Sequence, residues 1–315
     1  MTAREQPPIP TTVSEQARRF LSTPLATSMR EDLPLDDTDG WLRRIATTDA
    51  YLVERFGGIE LPLKVEDTEI AGVHTFVMRA PDVVDAPSTP IYLDIHGGAL
   101  IAGAGEACRL MGSAGAMTTG MIHWAVDYRM PPLHPYPTSL DDCLAVYRAL
   151  LDERPPEDVF VGGGSAGGNL AAALMVRAKE EGLPPPAGLV LLSPEVDLTE
   201  SGDTFTTNLG IDHVLGLLMQ TNLLYANGHD LADPHLSPLF ADVTGFPPTF
   251  LQAGTRDLFL SNTVRMHRKL RGAGVDAELH VWEAMPHGGF GGAPEDIEVR
   301  VELRRFLDRL RRDRP

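Results

Sequence analysis

The chain has 315 residues, 43% of them apolar and 23% charged, a composition that excludes a largely disordered polymer. Acidic residues outnumber basic ones 44 to 27, for a formal net charge of −17. That charge repels a phosphate backbone and argues against nucleic-acid binding.

The N-terminal segment MTAREQPPIPTT has no apolar core of the kind a signal peptide needs. No stretch approaches the ~18 apolar residues of a membrane span. A cytoplasmic protein is the expectation. Thr12 to Glu15 has capping-box spacing, and Ala17, Phe20 and Leu21 follow on one helical face. Beyond Pro24 and Pro34, an acidic first turn from Asp36 to Asp39 opens a second helix with Leu42, Ile45, Leu52 and Phe56. Residues 1–60 thus read as an N-terminal helical segment, and 61–315 as one larger domain.

From Leu61 strands take over. Val73 to Met78 alternates, and Ile91 to Ile95 and Ile122 to Val126 are short apolar runs. Val159 to Val161 and Leu189 to Leu192 are runs suited to strands buried on both faces. Thr249 to Gln252 and Ala277 to Trp282 complete the set. Helices fit between them: one capped by Ser139, one over Asn169 to Glu181, one capped by Ser261, and a C-terminal one carrying Val299, Leu303, Phe306 and Leu310. The alternation predicts an α/β fold with a mostly parallel sheet and helices on both faces. About 198–233 lacks a strand; Ile211 to Tyr225 is apolar and reads as a helical cap insertion. The two cysteines, Cys108 and Cys143, are too few for a disulfide framework or a zinc site and read as buried thiols.

The strongest chemical signal is Gly163-Gly164-Ser165-Ala166-Gly167, a G-x-S-x-G between a short apolar strand and an Ala-rich helix. The serine there sits on a sharp turn that tolerates only small neighbours, and the next helix aims its free amides at the site. A phosphate-binding loop is the competing reading, but no Lys-Ser/Thr pair follows. A nucleophilic serine needs a base. Among His267, His280 and His287, only His287 lies in a glycine-flanked loop past the last strand. The base needs an orienting carboxylate. Asp257, after the Thr249 strand, is best placed, with Asp197 as runner-up. Amides in His96-Gly97-Gly98-Ala99 and that of Ala166 are oxyanion donors by position.

His96-Gly97-Gly98-Ala99 is similar to the HGGG motif of the hormone-sensitive-lipase-like esterases (bacterial family IV). Asp127 to Pro137 resembles that family's DYRLAPEHPFP segment, and Gly163 to Gly168 its GDSAGG block. Leu192-Ser193-Pro194, Ser237-Pro238-Leu239, the Asp257 loop and Pro286-His287-Gly288 follow in the family's order, over about 60–310. The resemblance implies an α/β-hydrolase fold with a helical cap, neither metal nor cofactor, hydrolysis of short-chain esters, and often a homodimer. It implies Gly98, Ala99 and Ala166 as oxyanion donors, with Gly97 a further candidate. Three positions depart from the family pattern: Ala99 for the third glycine, Gly164 for the Asp of GDSAGG, and Leu133 for a Glu. An alanine at 99 either fits with φ < 0 or shifts its amide.

The small-molecule substrate is then an ester, or a lactone cleaved by the same residues. Phe20, Met29, Trp41, Leu215 and Met219 are candidate acyl-pocket residues. A non-catalytic small-molecule receptor on the same fold is the alternative from another class; all three triad residue types being in place argues against it.

Overall fold

The computed structural model describes residues 6–25, 33–58 and 61–312. In chain order its elements are α1 (Glu15–Leu21), α2 (Thr38–Phe56), β1 (Lys64–Ile70), β2 (Val73–Arg79), β3 (Ile91–Ile95), α3 (Glu106–Thr119), β4 (Ile122–Val126), α4 (Thr138–Glu153), β5 (Val159–Gly164) and α5 (Ala166–Glu180). There follow β6 (Gly188–Leu192), α6 (Thr204–Thr207), α7 (Met219–Ala226), β7 (Thr249–Gly254), α8 (Leu260–Gly272), β8 (Ala277–Trp282) and α9 (Pro294–Arg312). The sheet order is β1-β2-β4-β3-β5-β6-β7-β8. The β1–β2 and β2–β4 pairs are antiparallel and the other pairs parallel.

Strand alternation builds a core on each face of the sheet. Ile91, Leu93, Val159, Val161, Leu189, Leu191 and Leu251 pack with Leu140 and Tyr147 of α4 and Leu170 and Leu174 of α5. The residues between them, Tyr92, Phe160, Val190 and Phe250, pack with Leu303, Phe306 and Leu307 of α9. The middle strands therefore carry apolar residues toward both faces, as the sequence runs imply, with Asp94 of β3 and Gln252 of β7 as polar interruptions. Both cysteines are buried free thiols.

Several local readings change. The α1 cap is Ser14, not Thr12; its Oγ accepts the Ala17 amide. The reciprocal carboxylate comes from α9, where Glu295 accepts from the Ser14 amide and hydroxyl at 2.6 and 2.8 Å. Ser139 does not cap α4; its hydroxyl donates to the Arg129 carbonyl, and Pro137 holds the cap position. Phe259 precedes α8, and Ser261 instead exchanges hydrogen bonds with Thr204. The run from Ile211 is helical only over α7. Strand β1, polar along most of its length, is an addition to the expected set. Among the described residues, no helix is long and apolar enough to cross a membrane.

The register levels the strand ends that matter. Ile95 pairs with Gly163, Gly164 with Leu192, and Gly254 with Trp282. The loops after β3, β5, β7 and β8 therefore emerge along one sheet edge, where open α/β sheets place their ligands. The N-terminal helices and the insertion meet over this edge. Trp41 of α2 shares an apolar cluster with Ala99, Phe205, Leu215, Leu258 and Phe259. The carbonyl of Leu21, at the end of α1, lies 3.0 Å from His213 Nε2.

Candidate active site

Ser165 stands between β5 and α5 with φ 57° and ψ −121°, a conformation L-residues rarely adopt. Its amide donates to the Leu192 carbonyl at 2.9 Å. The flanking glycines answer to β3. A Cβ at Gly163 would lie 2.3 Å from the Ile95 carbonyl oxygen, and one at Gly167 1.8 Å from the same atom. The elbow is thus pressed against the strand that carries the His96–Ala99 loop. Gly97 completes the approach: its Cβ would sit 3.5 Å from Ser165 Cβ and 3.0 Å from the Gly164 carbonyl oxygen. Ala166 opens α5, where first-turn amides have no acceptor within the helix.

The loop after β3 is strained as well. Gly98 (φ 134°), Ala99 (φ 55°) and Leu100 (φ 63°) all have positive φ. A Cβ at Gly98 would run to 1.9 Å from the Ala102 carbonyl oxygen. Ala99 therefore does not fit with φ < 0 as the sequence allowed; it occupies the left-handed region with its side chain buried. Braces hold this shape. Tyr128 donates to the His96 carbonyl at 2.8 Å and its ring stacks on the imidazole at 4.0 Å. Asp49 of α2 accepts from the Gly103 amide, and Asp127 from that of Gly105. Donor atoms of His96, Cys108 and Asp127 lie within 4.8 Å of one another. Asp127 already bonds Gly105 and His74, and His96 Nδ1 donates to the Gly97 carbonyl, so this group serves the loop.

Positive φ at Ala99 has a consequence for stability. Relieving it is worth ~1–2 kcal/mol, against ~0.8 kcal/mol for one buried methyl. Ala99→Gly is expected to leave the melting temperature unchanged or raise it, by up to about 1 kcal/mol in stability; thermal denaturation checks it, and a fall of several degrees would contradict the strain argument.

The carboxylate and the imidazole come from the neighbouring loops. Asp257 is fully buried, and Oδ1 accepts from the Phe259 amide at 2.8 Å and from His287 Nδ1 at 3.2 Å. The two loops interlock: Arg256 donates its amide to the Met285 carbonyl, and Thr255 Oγ1 accepts from the Ala284 amide. The His287 and Phe259 rings form a T-shaped pair with centroids 4.9 Å apart.

The other candidates have different partners. Asp197 is buried and bound by Thr199, Ser201 and Arg265. Burial alone would raise its pKa, but these donors outweigh it and hold the group below its usual range. His280 stacks on Phe250 at 4.7 Å and approaches Glu278. His267 lies in α8, and burial leads its pKa downward.

Of the pocket candidates, Trp41 and Leu215 come together with Ala99 and Phe259. Phe20 belongs to a separate cluster, with Met285 and Phe290 around the His287 loop. Met219 begins α7, half-buried. Met29 lies outside the described residues.

Two carboxyls escaped the sequence reading. Asp212 is buried between the loops of Asp257 and His287; burial and the Asp257 charge push it up to about 6, while His287 pulls it back. Its only signal was one acid inside an apolar run. Glu195 is fully buried behind the elbow, its amide donating to the Ser165 carbonyl at 3.3 Å. Burial raises it to about 8, with Asn222 opposing. A raised carboxyl pKa means the folded state holds a proton the unfolded chain has lost, so stability falls as pH rises from the unfolded value toward 8. Each pH unit in that window costs at most ~1.4 kcal/mol. Glu195→Gln, always neutral, is expected to gain on the wild type between pH 5 and 8. Melting temperatures across that range check it; a constant gap would mean that the carboxyl is ionised throughout.

Comparison with known proteins gives concordant findings. Residues 92–290 match the family model described as alpha/beta hydrolase fold. The chain is 33% identical over 227 residues to an esterase of Acinetobacter venetianus, covering 71% of this chain and 74% of that one. Among solved structures, esterase E25 is 35% identical with a TM-score of 0.89, covering 98% of this chain and 97% of that one. A hormone-sensitive lipase from a metagenome library is 32% identical with a TM-score of 0.82, covering 95% and 99%.

Proposed function

The chain belongs to the hormone-sensitive-lipase-like esterases of the α/β-hydrolase family, as a carboxylesterase-type hydrolase, and from that premise we propose that it cleaves short-chain carboxylic esters with Ser165, His287 and Asp257 as its triad. The observation that carries the reading is the convergence at one sheet edge of a strained serine elbow, a strained oxyanion loop against it, and a buried carboxylate–imidazole pair.

Ser165 Oγ attacks the carbonyl carbon while His287 Nε2 takes its proton. Asp257 keeps the other ring proton on Nδ1 and steadies the imidazolium. The amides of Gly98, Ala99 and Ala166, with Gly97 adjoining, hold the tetrahedral oxyanion. Collapse expels the alkoxide, which takes the proton from His287 and leaves as alcohol. Water, deprotonated by the same imidazole, then releases the acid from the acyl-serine and restores the hydroxyl. Residues 1–60 and about 198–233 act as the cap over this edge. Trp41, Phe205, Leu215 and Phe259, packed around Ala99, favour a small acyl group.

A panel of p-nitrophenyl esters tests the chain-length reading: kcat/KM should be highest for acetate to butyrate and fall for longer acyl groups. A maximum at long chains would overturn it. The Ala99 methyl adds a second limit. Ala99→Gly should raise the kcat/KM ratio of tert-butyl acetate over n-butyl acetate, within the ~1–3 kcal/mol that one methyl can discriminate. An unchanged ratio would place the methyl away from the alcohol side.

A further inference from the structure

Asp212 lies in the insertion between α6 and α7, 1% exposed. Both carboxylate oxygens are taken by backbone amides. Oδ1 accepts from Val214 at 2.8 Å and Leu215 at 3.2 Å, closing a local turn. Oδ2 accepts from Leu258 at 2.8 Å and, more weakly, from His287 at 3.4 Å. These last two amides belong to the residue after Asp257 and to the imidazole-bearing residue itself. Neighbours in the insertion grip the same loop: Thr204 Oγ1 donates to the Leu258 carbonyl at 2.7 Å, and Asn208 Nδ2 to the Asp257 carbonyl at 2.8 Å.

A local turn does not need a carboxylate. The hydroxyl of a serine or one oxygen of an asparagine caps such a turn at no electrostatic cost. A carboxylate buried beside a second one is unfavourable unless something repays it. The charged and titratable groups that act on Asp212 most strongly are Asp257, of like sign, and His287, of opposite sign once protonated. A charge in this place is most favourable when the imidazole carries a proton, which is the state formed during acyl transfer.

We propose that Asp212 is a positioning residue for ester hydrolysis: its carboxylate ties the Asp257 and His287 loops to the insertion, and its charge adds to that of Asp257 in stabilising the protonated imidazole. The proposal rests on the triad reading above.

The test compares wild type, Asp212→Asn and Asp212→Glu on p-nitrophenyl butyrate, with kcat/KM followed against pH. A base that loses a nearby negative charge gives up its proton more readily, so the acid limb for Asp212→Asn should move to lower pH by roughly half a unit or more. Its kcat should fall roughly ten- to a hundredfold, from the looser pair, with KM changed far less. Asp212→Glu restores the charge on a longer stem; its limb should return to the wild-type position even where kcat stays low. Should Asp212→Asn not fold, Asp212→Ser, which keeps an acceptor for the Val214 amide, is read the same way. A lower kcat with an unmoved limb overturns the proposal in favour of a purely structural clasp. Wild-type kcat and an unmoved limb overturn it outright. If Ser165→Ala or His287→Ala retains activity, the triad reading itself fails; if both are inactive and only the Asp212 variants behave as wild type, the failure is confined to Asp212.

Discussion

Ser165→Ala is expected to lose roughly six orders of magnitude in kcat while folding as the wild type does. The size follows from removing the nucleophile of a serine hydrolase, where the remaining binding and oxyanion groups still leave a small rate above water. The unchanged fold follows from the backbone. Strain at φ 57° and ψ −121° arises from the Cβ and main chain, and alanine keeps that Cβ. The glycine contacts with the Ile95 carbonyl are also untouched. Ser165→Gly would separate the two effects: equally inactive, yet more stable by ~1–2 kcal/mol as the strain is released. Steady-state kinetics on p-nitrophenyl butyrate, thermal denaturation and labelling by a fluorophosphonate read all three quantities. A Ser165→Ala protein with a tenth of wild-type activity, or wild-type labelling on another residue, would sink the assignment.

How much of this was legible in the sequence depended on the range of the interactions involved. The buried strands could be read because each is apolar on both faces, and Phe160 between Val159 and Val161 serves opposite cores. The elbow could be read because a steric rule acts within five residues. Strand β1 could not: at the sheet margin, with four of its seven residues exposed and none buried, it needs no apolar pattern. Helix α2 shows a subtler limit. Periodicity picked out Leu42 and Phe56, yet both are exposed, and Trp41 is the fully buried residue. Its ring is fixed by partners far along the chain, Ala99 and Phe259 among them. The α1 cap is similar, because its carboxylate partner, Glu295, is 281 positions away.

The same distinction explains the site. Ser165, Asp257 and His287 each follow a strand, so strand order alone predicts where they emerge. Asp212 and Asn208 lie in irregular chain, and only the folded insertion brings them onto the Asp257 loop. Ala99 was visible as a departure, but its sign of φ was not. That sign is set by Gly98 and by the Gly98–Ala102 turn, in which the Ala102 amide donates to the Gly98 carbonyl at 2.9 Å.

The two late histidines offer the sharpest test of the proposed chemistry against packing. His287 Nδ1 lies 3.2 Å from Asp257, and its ring forms a T-shaped pair with that of Phe259. His280 has a different setting: it stacks on Phe250 and adjoins Glu278 on the sheet's last strand. His287→Ala is expected to cost as much as the serine change, roughly 10⁶ in kcat, because a triad acts as a unit and losing the base disables the nucleophile. Its stability should change little beyond one lost hydrogen bond and a ring contact, about 1–2 kcal/mol. His280→Ala is expected to show the opposite pattern, with kcat within a few-fold of wild type and stability lower by about 1–2 kcal/mol from the lost stacking. The double variant should be additive in stability, the two rings having separate partners, and no less active than His287→Ala alone. Kinetics and denaturant titration of the three proteins decide it. An active His287→Ala together with an inactive, normally folded His280→Ala would move the base to β8 and leave the buried Asp257–His287 pair without a chemical role.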